Sequence, residues 1–422
     1  MKLAVVGGGS TYTPELIDGF ARLRDTLPVS ELVLIDPATE RLELIGALAR
    51  RIFARQGHPG VVTTTADLDA GVEGADAVLL QLRIGGQAAR LRDETWPLEC
   101  GCIGQETTGA GGLAKALRTV PVVLDIAERV RRANPDAWII DFTNPVGIVT
   151  RALLKAGHKA VGLCNVAIGL QRKFAALLGL APADVHLDHV GLNHLTWELG
   201  VRRGGPDGED LLAGLLSAHG EDLAAHLRLP RAVLDRLGVV PSYYLRYFYA
   251  HDEVVRELGT KPSRAAEVAA MEQELLALYA DPALDEKPEL LARRGGAFYS
   301  EAAVDLAAAL LGDGRGPSFQ VVNVRNDGTL PFLPDDAVVE VQARVDPGGP
   351  VPLAVPRLDP LHAGLVAHVT AYEDLALDAA LRGGRERVFR ALLAHPLVGQ
   401  FDRAEGLTDR LLAHNKEHLA WA

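Results

Sequence analysis

Over the first 165 residues, short apolar runs alternate with stretches whose apolar positions recur every three or four residues. The runs "KLAVVG", "ELVLID", "GVVTTT", "ADAVLLQLR", "DAWIIDFT" and "KAVGLC" predict strands. Several are apolar at consecutive positions, the texture of strands buried on both faces. Between them, helical periodicity runs from Pro14 to Leu27 and from Glu40 to Arg55. Strands separated by helices of this length pair in parallel through right-handed crossovers. The pattern predicts an α/β fold, a doubly wound parallel sheet over residues 1–165.

After Cys164 the texture changes. "VHLDHVGLNHLTWELGVRR" reads as strands, and 210–237 and 264–312 as helices striped with leucine and alanine. "PSFQVVNVRNDG" and "DDAVVEVQARV" predict two more strands, and helices from Pro360 to Ala394 and Glu405 to Leu419 close the chain. Residues 166–422 are thus expected to form an α+β domain. No repeat, low-complexity tract or linker separates the two parts. They should pack directly together, with the crevice between them as the default ligand site.

Composition narrows the class. The 422 residues suffice for two cores, and 48% hydrophobic with 23% charged residues is an ordinary globular balance. No stretch approaches the roughly 18 apolar residues of a membrane span. The start "MKLAVVGGG" is too short an apolar run for a signal peptide, which points to the cytoplasm. Three cysteines exclude a disulfide framework, and Cys100 and Cys102 in "ECGCIG" lack the further ligands of a structural zinc site. The net charge of −12 argues against a nucleic-acid partner. An anionic small substrate would need a local arginine cluster.

The stretch "VVGGGSTYTPEL" runs from a strand into glycines and then a helix. Gly7 and Gly9 take the first two positions of a GxGxxG turn, whose backbone N–H groups approach a pyrophosphate. Tyr12 stands where the third glycine belongs, a position that serves helix packing. Thr13 and Pro14 read as an N-cap and first-turn proline. Gly7, Gly9, Ser10 and Thr11 are therefore expected to bind a dinucleotide. Asp36 ends the second strand, where a carboxylate accepts the ribose hydroxyls of NAD and repels the 2′-phosphate of NADP. Together these predict a Rossmann-like, NAD-binding domain.

Four polar clusters fall at or beyond strand carboxyl ends, where such sheets bind ligands. They are Arg83 and Arg90 with Asp93–Glu94, Asn144 before Pro145, Cys164 with Asn165, and Asn193 with His194. Each has a plain alternative: a turn asparagine, a small core cysteine, a structural histidine, and arginines paired to Asp93 and Glu94 on a solvated face. Their coincidence on one side of one sheet favours a site. Cys164 and His194 suggest an open metal site, for which ligand softness alone favours zinc or iron over manganese.

These residues resemble a known family. "GGGSTYTPEL", "LRIGGQAARLRDE", "IGQETTGAGG", "DFTNPVGI", "GLCNVAIG", "GLNHLTW", "SYYLRYFY" and "NDGTLPFLPDDAVVEV" are similar to motifs of the family 4 glycoside hydrolases, and Asn165 resembles the 6-phospho-β-glucosidase branch. That family departs from the usual two-carboxylate scheme. The resemblance implies an architecture similar to lactate and malate dehydrogenases, bound NAD, and a divalent metal, typically manganese, at Cys164 and His194. It implies that NAD⁺ oxidises carbon 3 of the sugar and that a metal-polarised ketone acidifies the proton on carbon 2. A tyrosine matching Tyr244 removes this proton, the aglycone leaves, water adds, and the hydride returns. Tyr243 and Tyr247 are neighbouring alternatives, and the base would need its pKa lowered by the metal or an arginine.

By the same resemblance, Arg90, Asn144 and Arg264 hold the sugar phosphate, and Asn144 and Arg83 also adjoin the cofactor. Arg83 and Glu106 lie near cofactor or sugar hydroxyls, and Asn165 contacts the sugar near carbons 2 and 3. The substrate is a phosphorylated disaccharide or aryl glucoside, and the assembly a homo-oligomer, a dimer or tetramer. Ala167 replaces the family's usual proline, and Ile84 its commoner valine. Two other readings stand beside this one. A 2-hydroxy-acid dehydrogenase of the lactate or malate type would use His194 and Arg90 but leave Cys164–Asn165 unexplained. A non-catalytic NAD sensor would have no use for the metal pair.

Overall fold

In the computed structural model, which describes residues 1–296, 298–312, 314 and 316–422, six parallel strands form the first half of the sheet. They are β1 (Lys2–Val6), β2 (Glu31–Ile35), β3 (Val61–Thr65), β4 (Ala77–Leu80), β5 (Trp138–Asp141) and β6 (Ala160–Gly162), in the order β3-β2-β1-β4-β5-β6. Crossovers run through α1 (Thr13–Arg22), α2 (Thr39–Arg55), α3 (Leu68–Val72), α4 (Gly86–Thr95), α5 (Gly109–Ala133) and α6 (Val146–Lys155). Every residue of β4 and β5 is buried, because helices cover both faces. The strand order reverses between β1 and β4, which opens a crevice at their carboxyl ends.

After α7 (Val166–Leu178) the same sheet continues with β7 (Val185–Leu192), β8 (Leu195–Arg203), β9 (Val240–Pro241), β10 (Ser318–Arg325), β11 (Val338–Asp346) and β12 (Gly349–Pro352). Strand β10 joins β6 antiparallel through Asn323 opposite Gly162, and β11, β7, β8 and β9 follow. The fold is α/β and Rossmann-like, with mixed pairing beyond β6. One apolar core reaches from Leu3 to Leu419, so both halves share it. A second lies under α7, β7, β8 and the helix Leu212–Leu227.

The helices depart from the predicted spans, in two places at local breakers. Helix α1 ends at Arg22, short of Leu27. The segment 210–237 divides at Pro230, which lacks the N–H a helix interior needs. The segment 264–312 forms three helices, Arg264–Tyr279, Leu290–Arg294 and Tyr299–Leu311. The segment 360–394 breaks at Gly383–Gly384, both at positive φ, where Gly383 lies against the Trp421 ring. The last helix spans Phe401–Asn415 rather than starting at Glu405. Among the described residues no helix is long and apolar enough to cross a membrane.

Candidate active site

The glycine turn is built to approach other backbone closely. Gly7 and Gly8 donate N–H bonds to the carbonyl of Ile35 at 2.9 and 3.0 Å. Gly7 sits at φ +89°, and a Cβ there would meet the Gln81 carbonyl oxygen at 2.7 Å. Gly9 donates to Asp36 Oδ2 at 3.1 Å, so turn and acid form one unit. Gln81 completes it, donating to the Gly7 carbonyl at 3.1 Å and to Thr13 Oγ1 at 2.7 Å.

Three residues of this stretch act otherwise than expected. Thr13 is the first helical residue, and its hydroxyl is committed to Gln81; Tyr12 occupies the N-cap and makes no side-chain cap bond. The buried Thr11 hydroxyl donates to Glu272 at 3.0 Å, which ties the turn to the helix Arg264–Tyr279 rather than facing the crevice. Tyr12, in place of a packing glycine, becomes a wall: its hydroxyl donates to the Gly296 carbonyl and Arg294 lies over its ring.

The crevice brings together Ser10, Arg83, Arg90, Glu106, Asn144, Asn165, His194 and Tyr244 from both halves of the chain. It adds Gln81, Lys115, Arg294 and Tyr299, which carried no local signal in the sequence. Arg83 leaves the predicted strand because β4 stops at Leu80. Glu106 pairs with Arg83, with Lys115 at 2.7 Å and with Arg90 at 3.1 Å. Burial works to raise its carboxyl, but the three cations prevail and hold it well below the usual carboxylate range. Burial pushes the Lys115 ammonium down to about 8. A surplus of cations therefore faces this crevice on a protein whose net charge is −12.

The plain pairing of the arginines holds only in part. Arg90 meets Glu94 at 2.8 Å, whereas Asp93 turns inward to Arg118. Asn144 Oδ1 is buried with no partner, an acceptor left for a ligand. Arg264 does not line the crevice. The first residue of its helix, it pairs with Glu267 at 2.9 Å and donates to the carbonyls of Arg293 and Arg294 at 2.7 and 3.2 Å. Arg294 enters the crevice instead and meets Glu272 at 2.8 Å.

His194 sits in the two-residue turn between β7 and β8 at φ +65°. Its Nδ1 pairs with Thr107 Oγ1 at 2.8 Å, leaving Nε2 as the free nitrogen of a ring that lines the crevice. Cys164, just past β6, is buried near the side chains of Asn193 and Tyr299 and is not itself part of the lining. Burial drives the Cys164 thiol up to about 12 and the His194 imidazole down to about 4. Among the described residues no cluster of three or more His, Cys, Asp or Glu has metal-holding geometry. A thiol and an imidazole fit a metal only with oxygens from bound ligands, the open arrangement of catalytic sites.

Of the three neighbouring tyrosines, only Tyr244 lines the crevice. Its ring lies flat on His194, centroids 3.6 Å apart and planes 6° apart. Burial, then the nearby Cys164 and Tyr247, raise its pKa well above the ordinary tyrosine value, and Arg90 opposes only weakly. The lowering expected from an arginine is therefore outweighed in the chain alone.

Residues 2–180 match the model of the family 4 glycosyl hydrolases, and residues 189–398 match its C-terminal domain. A probable 6-phospho-β-glucosidase of Bacillus subtilis is 38% identical over 99% of this chain and 97% of its own length. A 6-phospho-β-glucosidase from Thermotoga maritima, solved with manganese, NAD⁺ and glucose-6-phosphate, is 32% identical, with TM-score 0.89 over 99% of both chains. A malate dehydrogenase from Salinibacter ruber, 16% identical with TM-score 0.52 over 90% of this chain and 98% of its own, shares the fold alone.

Proposed function

The chain belongs to the family 4 glycosyl hydrolases, and from that premise we propose that it is a 6-phospho-β-glucosidase using NAD⁺ and a divalent metal. The carrying observation is convergence: the glycine turn, the His194–Tyr244 stack and the cation cluster open into one crevice. Ligand softness favours zinc or iron; likeness to the manganese-bound Thermotoga enzyme favours manganese, and we adopt it.

When bound, NAD⁺ supplies a reversible hydride acceptor, and the metal supplies Lewis acidity beside the oxidised carbon. The chain does the rest. Gly7, Gly9 and Ser10 cradle the pyrophosphate, and Asp36 accepts the ribose hydroxyls, so NAD is preferred to NADP. Cys164 and His194 hold the metal. Tyr244, stacked on His194, removes the proton from carbon 2, and Asn165 positions the sugar near carbons 2 and 3. Arg90, Asn144 and Arg294 meet the phosphate, because guanidinium forks and an amide N–H donate to its oxygens; the unpaired Asn144 Oδ1 is left to accept from a ligand hydroxyl. Glu106 holds Arg83, Arg90 and Lys115 in place. We assign residues 1–165 to cofactor binding, 166–422 to catalysis and oligomerisation, and the protein to the cytoplasm.

The test is turnover of a chromogenic 6-phospho-β-glucoside in deuterated water. Deuterium at carbon 2 of the released sugar phosphate, with no net NADH, is expected. Stoichiometric NADH without glycoside cleavage would indicate the dehydrogenase reading instead.

A further inference from the structure

Behind the turn that carries His194, a row of charged side chains crosses the sheet. His189 on β7 meets Glu198 on β8 (Nδ1–Oε1, 2.7 Å) and Glu340 on β11 (Nε2–Oε1, 3.0 Å). All three side chains are at most 1% exposed. The second Glu340 oxygen accepts from Asn193 Nδ2 at 2.7 Å and Asn323 Nδ2 at 2.8 Å. Asn323 lies opposite Glu340 in one ladder and opposite Gly162 in the next, two residues before Cys164. Asn193 precedes His194, and its side chain lies near the Cys164 thiol. Glu340 thus reaches the strand that leads to Cys164 through Asn323 and the turn that presents His194 through Asn193.

An apolar core would serve packing as well, because burying ion pairs is costly. Burial disfavours the His189 cation, but Glu198 and Glu340 outweigh it and hold the imidazolium charged to about 10. Two carboxyl side chains thus face one imidazole deep in the sheet, an excess of acidic over basic groups. Nothing among their direct partners neutralises it, since Asn193 and Asn323 are neutral. A divalent cation bound by one thiolate carries one net positive charge, the complement of this row.

We propose that Glu340 is the positioning residue of the metal site: through Asn193 it fixes Cys164 and the left-handed His194 turn, and it supplies the buried charge that balances a thiolate-bound divalent cation. This rests on the metal-dependent reading above. His189 and Glu198 keep the Glu340 carboxylate in register, and Asn193 transmits its position to both ligands.

The test is direct Mn²⁺ binding to the full-length, NAD-loaded protein, read by loss of the free-ion electron paramagnetic resonance signal, for wild type, Glu340→Gln and Asn193→Ala. Both variants should weaken Mn²⁺ by about 10–100-fold, the usual cost of losing such an outer hydrogen bond. NAD⁺ affinity, measured by calorimetry, should stay unchanged, a split that general destabilisation would not produce. Wild-type Mn²⁺ affinity in a folded Glu340→Gln overturns the inference. If that variant does not fold, wild-type affinity in Asn193→Ala overturns it. Wild-type protein that binds no Mn²⁺ overturns the metal-dependent reading and this inference with it.

Discussion

Arg264 and Arg294 divide a task that one arginine was expected to perform. Arg264 holds the carbonyls of Arg293 and Arg294 from outside, and Arg294 faces the crevice. Arg294→Ala should therefore raise the KM for a 6-phosphoglucoside more than Arg264→Ala, with kcat less affected in both. Equal effects, or a larger one at Arg264, would restore Arg264 as the direct phosphate contact. At the metal end, Cys164→Ser or His194→Ala should abolish turnover while NAD⁺ binding, followed by calorimetry, survives. The glycine turn proposed to hold the cofactor is built from Gly7, Gly9 and Asp36, none of which leans on either residue. Loss of NAD⁺ binding in these variants would mean that the two sites are not separable.

Helix α1 carries the cofactor turn at one end and packs on the helix Tyr299–Leu311 of the second half. Gly19 makes this approach possible, since a Cβ there would collide with Cβ of Ser300. Ser300 in turn donates to Glu15 on α1 at 3.0 Å. Gly19→Ala gains helix propensity of about 1 kcal/mol. Overpacking of this contact costs about 1–3 kcal/mol, so net destabilisation is expected. Urea unfolding should show a lower midpoint at unchanged slope; a higher midpoint would mean that the two helices separate without penalty.

Across the whole molecule, three of the buried groups that titrate higher folded than unfolded have windows reaching neutral pH. Burial raises Asp141 from 3.8 to about 8 and Glu373 from 4.5 to about 7. For His189 burial opposes the shift, but its two carboxylates raise it from 6.5 to about 10. A raised pKa means that the folded state holds the proton more tightly. The associated stability is complete below the unfolded value and is lost as pH climbs through the folded one. The three windows overlap between about pH 6.5 and 7 and continue to about 8 for Asp141 and His189. Lys115, lowered from 10.5 to about 8, acts in the opposite sense and only above that pH. Tm should therefore fall from about pH 6.5 to 8. Asp141→Asn, which mimics the protonated acid, should make that fall shallower. Parallel curves for variant and wild type would show that Asp141 ionises normally.

The α/β class, the glycine turn with Asp36 and the polar residues beyond the strand ends were legible from the chain alone. Each depends on short-range properties: apolar periodicity, glycine spacing, and the residue type that ends a strand. Helix breaks at Pro230 and Gly383–Gly384 were local too, but apolar stripes running through them masked the signal. Gln81, Lys115, Arg294 and Tyr299 left no trace, because a polar or aromatic side chain in a helix or loop does not reveal which wall it faces. The recess of Cys164, the displacement of Arg264 and the buried row from Glu198 to Asn323 were equally invisible. Residues 189, 198, 323 and 340 become neighbours only because β7, β8, β10 and β11 pair as they do. Sequence by itself determined that a glycine turn and polar groups gather beyond the strand ends, where the crevice opens. The tertiary structure decided which of them touch, because strand pairing over more than a hundred residues sets those distances and no local pattern encodes it.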